Sequence, residues 1–213
     1  QDIDPLSDTA PPRYAIESDE EEDEINPLRP RPSPQDTTAD VRISGDIPVG
    51  NTLAIASADV ALFWAKGASL GEQIGGVFVN KIQIGLVFKP QWTKSTVIVS
   101  EALSHLPLYA MYPYAKSIID SLRPSRVSLL DSYPVPTYAT DQRVPFHEAP
   151  LRYLSTSDKV NIPGKYCLPF SPPNLIQTTS ASFLSILSVG DVQGTLILLP
   201  SPHIPHPPPK QVS

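Results

Sequence analysis

Thr52-Leu53-Ala54-Ile55-Ala56-Ser57 follows Gly50 and is apolar or small at every position but the two ends. A run this short with no polar alternation fits a strand covered on both faces, which is the habit of strands in parallel sheets. The next segment, Ala58 to Lys66, has helical spacing, with Asp59 as the expected cap and Gly67 as the stop. A buried strand leading straight into a helix is the repeating step of an α/β architecture.

The same step recurs downstream. Gly75 to Phe88 holds Val77-Phe78-Val79 and Ile82 to Phe88, β-branched and aromatic enough for a hairpin or two strands. Thr96-Val97-Ile98-Val99 reads as a strand. Tyr109 to Leu122 reads as a helix with Ile118, Ile119 and Leu122 on its apolar face. Pro113 fits only a first turn, so this helix is expected to start near Tyr112. Arg126 to Leu130 is the next strand, Thr179 to Leu187 a helix, and Gly194 to Leu199 a last strand closed by Pro200. Strands alternating with helices predict one α/β domain, with a largely parallel sheet flanked by helices.

Between these elements Tyr133 to Pro173 is rich in Pro, Tyr, Ser and Thr and lacks periodicity. One short helix is expected there, around Ala149 to Leu154. Long irregular segments inside a compact domain are often functional. Tyr109, Tyr112, Tyr114, Tyr133, Tyr138 and Tyr153 make the middle of the chain aromatic. Such residues serve a core, and they are also enriched at protein interfaces.

The outer segments differ from this body. The chain has 213 residues, of which 26 are proline, a share that excludes a coiled coil or helical bundle because proline breaks helix interiors. Residues 1–50 carry 13 acidic and 4 basic residues, the rest 9 acidic and 12 basic. The net charge of −6 is thus a property of the N-terminal part, and the near-neutral body offers no electrostatic case for nucleic acid. Residues 1–46, with the run Glu17 to Glu24, are expected to be a disordered tail, too poor in apolar side chains to offset the entropy of ordering. The body is expected at 47–200, and 201–213 as an extended proline-rich tail. The chain begins at Gln1, as a fragment or a gene reading with a missing start would. No apolar run approaches the ~20 residues of a membrane span, and the single cysteine, Cys167, precludes an intrachain disulfide. A soluble intracellular protein is the expectation.

Candidate chemistry is sparse. Gly67-Ala68-Ser69-Leu70-Gly71 matches the G-x-S-x-G of a nucleophile elbow, with Asp120 or Asp131 and then His147 following in a workable order. An elbow needs a strand before its serine, and here a helix precedes it. His105, His147, His203 and His206 have no metal-ligand spacing, and no glycine-rich phosphate loop is present. No cofactor, metal or catalytic residue is therefore assigned. Ser18, followed by acidic residues, has the surroundings of an acid-directed phosphorylation site.

Three stretches together resemble the proteasome assembly chaperone family, in particular its divergent fungal members of the chaperone 1 type. One is Ser18 to Glu24 with Asn26-Pro27-Leu28 after it. Another is Val127-Ser128-Leu129-Leu130, then Tyr138, then Ala149-Pro150-Leu151-Arg152-Tyr153-Leu154-Ser155-Thr156. The last is Pro173-Asn174-Leu175-Ile176, then Ala181 to Ser185, then Thr195 to Leu199. The resemblance covers about half the chain. It implies a nucleoside-phosphorylase-like α/β fold, no enzymatic activity, a second assembly chaperone of the same fold as heterodimer partner, and binding to proteasome α-type subunits in the cytoplasm and nucleus. In that family the C-terminal tails carry a hydrophobic–tyrosine–any motif that enters pockets between α subunits. The corresponding end here, Gln211, Val212 and Ser213, is where that contact is expected, but it lacks the penultimate tyrosine. Two other function classes stay open: a small hydrolase or nucleoside-cleaving enzyme using Ser69, Asp131 and His147, and an acidic-tailed adaptor.

Overall fold

The computed structural model describes residues 38–140, 144–157, 167–190 and 192–212. The acidic run, Ser18 and Ser213 lie outside the described residues.

The stretch that opened the argument forms β2 (Thr52–Ser57), at the heart of a sheet. Leu53 and Ile55 point into one core, while Ala54 and Ala56 pack into a second core on the opposite face. Its parallel neighbours are β5 (Thr96–Ser100), buried at all five positions, and β6 (Arg126–Pro134). β9 (Gln193–Ser201) extends the parallel group beyond β6. The double burial read from the apolar run is what these central strands show.

The flanks run the other way. β3 (Gln73–Val79) and β4 (Ile82–Phe88) form an antiparallel hairpin, β4 pairs antiparallel with β5, and β1 (Val41–Gly45) pairs antiparallel with β3. On the far side β7 (Leu151–Ser155) is antiparallel to β9 and parallel to the short β8 (Cys167–Pro169). The order is β1-β3-β4-β5-β2-β6-β9-β7-β8. The sheet is therefore mixed, a correction to the largely parallel one expected. A two-residue connection can join only antiparallel strands, and Asn80 and Lys81, both at positive φ (50° and 70°), form that connection between β3 and β4.

Three helices complete the layers. α1 (Ala58–Gly67) packs on the face that carries Val97 and Val99. α2 (Leu108–Leu122) and α3 (Thr179–Val189) share the other face, where Tyr114 and Phe183 meet edge to face at 6.3 Å. Asp59 is not the cap of α1. It lies in the first turn, after Ser57 at the cap position.

Other local expectations are corrected by tertiary packing. α2 starts at Leu108, four residues ahead of Tyr112, so Pro113 sits inside it. Proline there removes one backbone hydrogen bond. The buried face formed by Ala110, Met111, Tyr114, Ala115, Ile118 and Leu122 outweighs that loss. The helix expected around Ala149 to Leu154 is instead strand β7, because β9 offers it a hydrogen-bonding edge and Pro150 lies just ahead of it. β1 lies within the segment expected to be a tail. Its Val41 and Ile43 alternate with Arg42 and Ser44, and the apolar pair packs against the main core. At the other end the proline-rich segment after β9 has no regular structure, yet Val212 packs against that same core.

Close packing at the centre leaves no room at Gly85 of β4. A Cβ there would lie 2.7 Å from the Tyr114 hydroxyl and 3.2 Å from Val77 Cβ. Gly85→Ala is expected to lower stability by about 1–3 kcal/mol, read from the midpoint of urea unfolding, whereas an alanine at Gly67, which meets nothing within 4 Å, should leave that midpoint nearly unchanged.

Candidate functional site

Open sheets with a parallel centre place ligands beyond the carboxyl ends of their strands. Here those ends carry Ser57 on β2, Ser100 on β5 with Glu101 directly after it, and Asp131 on β6, all buried. Asp131 Oδ2 accepts hydrogen bonds from Thr178 Oγ1 and Ser180 Oγ, each at 2.6 Å, and Oδ1 accepts from the Ser132 backbone N–H at 2.7 Å. Burial pushes the Asp131 carboxyl above its usual range, and the three donors oppose that rise.

Glu101, at φ 57°, accepts the Leu106 backbone N–H at 2.9 Å. Burial raises its pKa too, the Leu106 bond opposes the rise, and the charge of Asp131 adds to it. The Thr179 hydroxyl also lowers it, although Thr179 Oγ1 makes no hydrogen bond among the described residues. Ser100 Oγ and the Tyr114 hydroxyl lie 2.8 Å apart, and burial raises the Tyr114 pKa. These groups spend their bonding capacity on each other and on the backbone. The arrangement ties the loop after β5 and the first turn of α3 to the sheet. Among these residues the sequence had singled out Asp131 and Tyr114. Glu101, Thr178 and Ser180 carried no local signal.

The hydrolase constellation is not assembled. Ser69 is exposed in the loop after α1, where its carbonyl accepts Trp92 Nε1 at 2.9 Å. His147 is exposed on a 3₁₀ turn, with Nε2 3.5 Å from Glu148 Oε1. Asp131 is committed to α3, and Asp120 pairs with Lys116 at 3.0 Å on the exposed side of α2. No hydrogen bond links Ser69, Asp131 and His147 to one another among the described residues. Among those residues no group of three or more His, Cys, Asp or Glu is placed to hold a metal ion. Of the tail residues expected to contact a partner, Gln211 is exposed and Val212 is half-buried.

The irregular segment 133–173 is where distant residues converge. The Arg152 guanidinium on β7 stacks 4.0 Å from the centre of the Tyr138 ring, lies 5.8 Å from that of Tyr133, and donates through Nη1 to Pro169 O at 3.1 Å. Tyr138 meets Tyr133 and Phe170 edge to face, at 5.1 and 5.5 Å. The Tyr133 hydroxyl donates to Pro150 O at 2.7 Å, and burial raises its pKa while Arg152 opposes the rise. Asn174 clamps the cluster from the other side. Its Oδ1 accepts the Ala139 N–H at 2.8 Å, and its Nδ2 donates to Ala139 O and Ser171 O. Tyr138, Arg152 and Asn174 come from two of the stretches that carry the family resemblance, and the fold brings them together. Cavities of about 340 and 610 Å³ adjoin this cluster, and Tyr138 and Arg152 line both.

No protein-family model matches the chain, and no curated protein matches it by sequence. Solved structures do match. Pyrococcus furiosus PbaA, described as an archaeal homolog of proteasome-assembly chaperone, aligns with TM-score 0.56 and 13% identity over 76% of this chain and 77% of its own. Pyrococcus furiosus PbaB, described as an archaeal proteasome activator, aligns with TM-score 0.53 and 9% identity over 78% and 81%. A Thermoplasma acidophilum protein of unknown function aligns at 0.53 and 12% over 72% and 68%. The fold is shared with these archaeal proteins. At such identities the likeness speaks for the fold alone.

The buried carboxyls make a signed prediction. With its folded pKa raised, Asp131 holds its proton in the folded state after the unfolded chain has released it. The stability it contributes is therefore full below the ordinary carboxylate range and is lost as pH rises through the raised value. In wild type minus Asp131→Asn differences, measured by urea unfolding from about pH 4 to pH 7, the wild type is expected to lose stability relative to the variant as pH rises. A flat difference, or one of opposite slope, would refute the shift.

Proposed function

We propose that this protein is a proteasome assembly chaperone of the fungal chaperone 1 type, acting by binding rather than by catalysis. The observation that carries the reading is the shared fold with PbaA, reached independently of the sequence resemblance. The convergence of Tyr138, Arg152 and Asn174 supports it. The kinship of the body with nucleoside-phosphorylase-like domains is part of the same proposal.

In this reading the body pairs with a second chaperone of the same fold, and the pair holds α-type proteasome subunits while the ring assembles, in the cytoplasm and nucleus. Binding of this kind shifts assembly through differential affinity for one intermediate over another, with no bond made or broken. The chain has surface to spare for it. Leu108 and Tyr112 are neighbours on one face of α2 and are 67% and 51% exposed, and Leu103 in the preceding loop is 84% exposed. Exposed apolar and aromatic groups grouped in this way are typical of the centre of a protein interface. Gln211, Val212 and Ser213 are the proposed tail contact, and Val212 rests on the body, so the contact forms where the tail lies against it. Ser18 is the proposed phosphorylation site. Among the described residues no helix is long and apolar enough to cross a membrane.

Affinity purification of the tagged chain from its native cells is expected to recover α-type proteasome subunits together with a second α/β chaperone. Recovery of neither defeats the proposal. Leu108→Asp combined with Tyr112→Asp changes only exposed positions, so the variant should melt within a few degrees of the parent and yet lose the same-fold partner from the purified material.

A further inference from the structure

Glu101 follows β5 directly and holds a left-handed backbone conformation, φ 57°, that any residue but glycine or asparagine adopts at a cost. Its bonds offset that cost. The Glu101 N–H donates to Ile84 O on β4 at 3.0 Å, and its buried carboxyl accepts the Leu106 N–H at 2.9 Å through Oε1. One residue thus fixes the loop to the sheet at its start and ties it to itself near its end. Leu106 and Pro107 are buried, and Pro107 is the cap of α2 and holds Leu106 extended.

Both feet of the loop are therefore anchored while its tip faces outward. Leu103 is 84% exposed and His105 is exposed as well. α2 starts at once beyond the loop, and Leu108 and Tyr112 are its exposed apolar pair. These three side chains are the surface assigned above to the same-fold partner. A loop that had to order itself on contact would weaken the complex by the entropy of that ordering. The two bonds of Glu101 settle the loop before a partner arrives.

We propose that Glu101 is a positioning residue for partner binding, its buried carboxyl holding the β5–α2 loop closed so that Leu103 stands preformed beside Leu108 and Tyr112. This inference rests on the assembly-chaperone reading, and it adds the residue that shapes the contact.

Two substitutions in the full chain separate this role from mere support of the interior. Glu101→Gln keeps an oxygen for the Leu106 N–H, and its added amide N–H has the nearby Thr179 hydroxyl as an acceptor. Glu101→Ala removes the bond. In the chain alone, the Leu106 amide is expected to exchange with solvent about tenfold or more faster in Glu101→Ala than in the parent, and within about threefold of the parent in Glu101→Gln. In affinity purification, Glu101→Ala should retain about a tenth or less of the same-fold partner that the parent retains, and Glu101→Gln should retain most of it. Leu103→Asp changes only an exposed position, so it should melt with the parent and still lose the partner, which keeps the test open where Glu101→Ala fails to fold. Unchanged Leu106 exchange in Glu101→Ala, equal partner recovery by Glu101→Ala and the parent, loss of the partner by Glu101→Gln, or full recovery by Leu103→Asp would each overturn the inference and leave the chaperone reading standing. Recovery of no partner by the parent removes both.

Discussion

Burial of β2 and β5 on both faces is the constraint from which the rest of the molecule follows. All five residues of β5 are inside, and β2 presents Leu53 and Ile55 to one core and Ala56 to the other. Strands walled in this way need helices on both sides, and α1 covers one face while α2 and α3 cover the other. They also leave their polar ends with no water to turn to. A buried polar group without a partner costs more than the bond it would form. That is why Ser100 meets Tyr114, Glu101 meets the Leu106 amide, and Asp131 takes three donors.

This internal bookkeeping explains why the carboxyl ends of the strands, where a related architecture places its chemistry, hold a latch here. Asp131 and Glu101 have the raised pKa values that often mark a catalytic pair. Their bonds run to α3 and to the loop after β5, and their effect is to fix those segments on the sheet. Fold does not specify function, and the same strand ends can serve a substrate in one protein and a helix in another.

Residues far apart in sequence converge instead on the β7–β8 wing. There the sheet narrows to a three-residue edge strand, and the covering layer is loop. Arg152, Tyr138 and Asn174 hold those loops through a cation stacked on a ring and an amide that bonds both sides of a turn. An arginine in this setting is a packing element, held by Pro169 O and stacked on Tyr138. The central latch differs in that its carboxyl groups are engaged by donors from the same chain.

The residues alone were enough to establish the central strands, all three helices in outline and the α/β class, because those depend on short-range patterns: unbroken apolar runs, helical spacing and glycine or proline stops. The resemblance read from the order of short stretches implied an α/β fold, and an α/β fold shared with PbaA is what the structure shows. Strand direction on the flanks, the strand at Leu151–Ser155, the start of α2 ahead of Pro113 and the pairing of β1 were decided only in three dimensions. Each depends on an edge or an apolar surface contributed from far along the chain. Convergence at Arg152 is of the same kind. A cation finds its ring 14 residues away in sequence, and the clamp from Asn174 comes from 35 residues beyond Ala139. No local pattern encodes such separations. Only the folding of β6, β7 and β9 into one sheet brings them within reach.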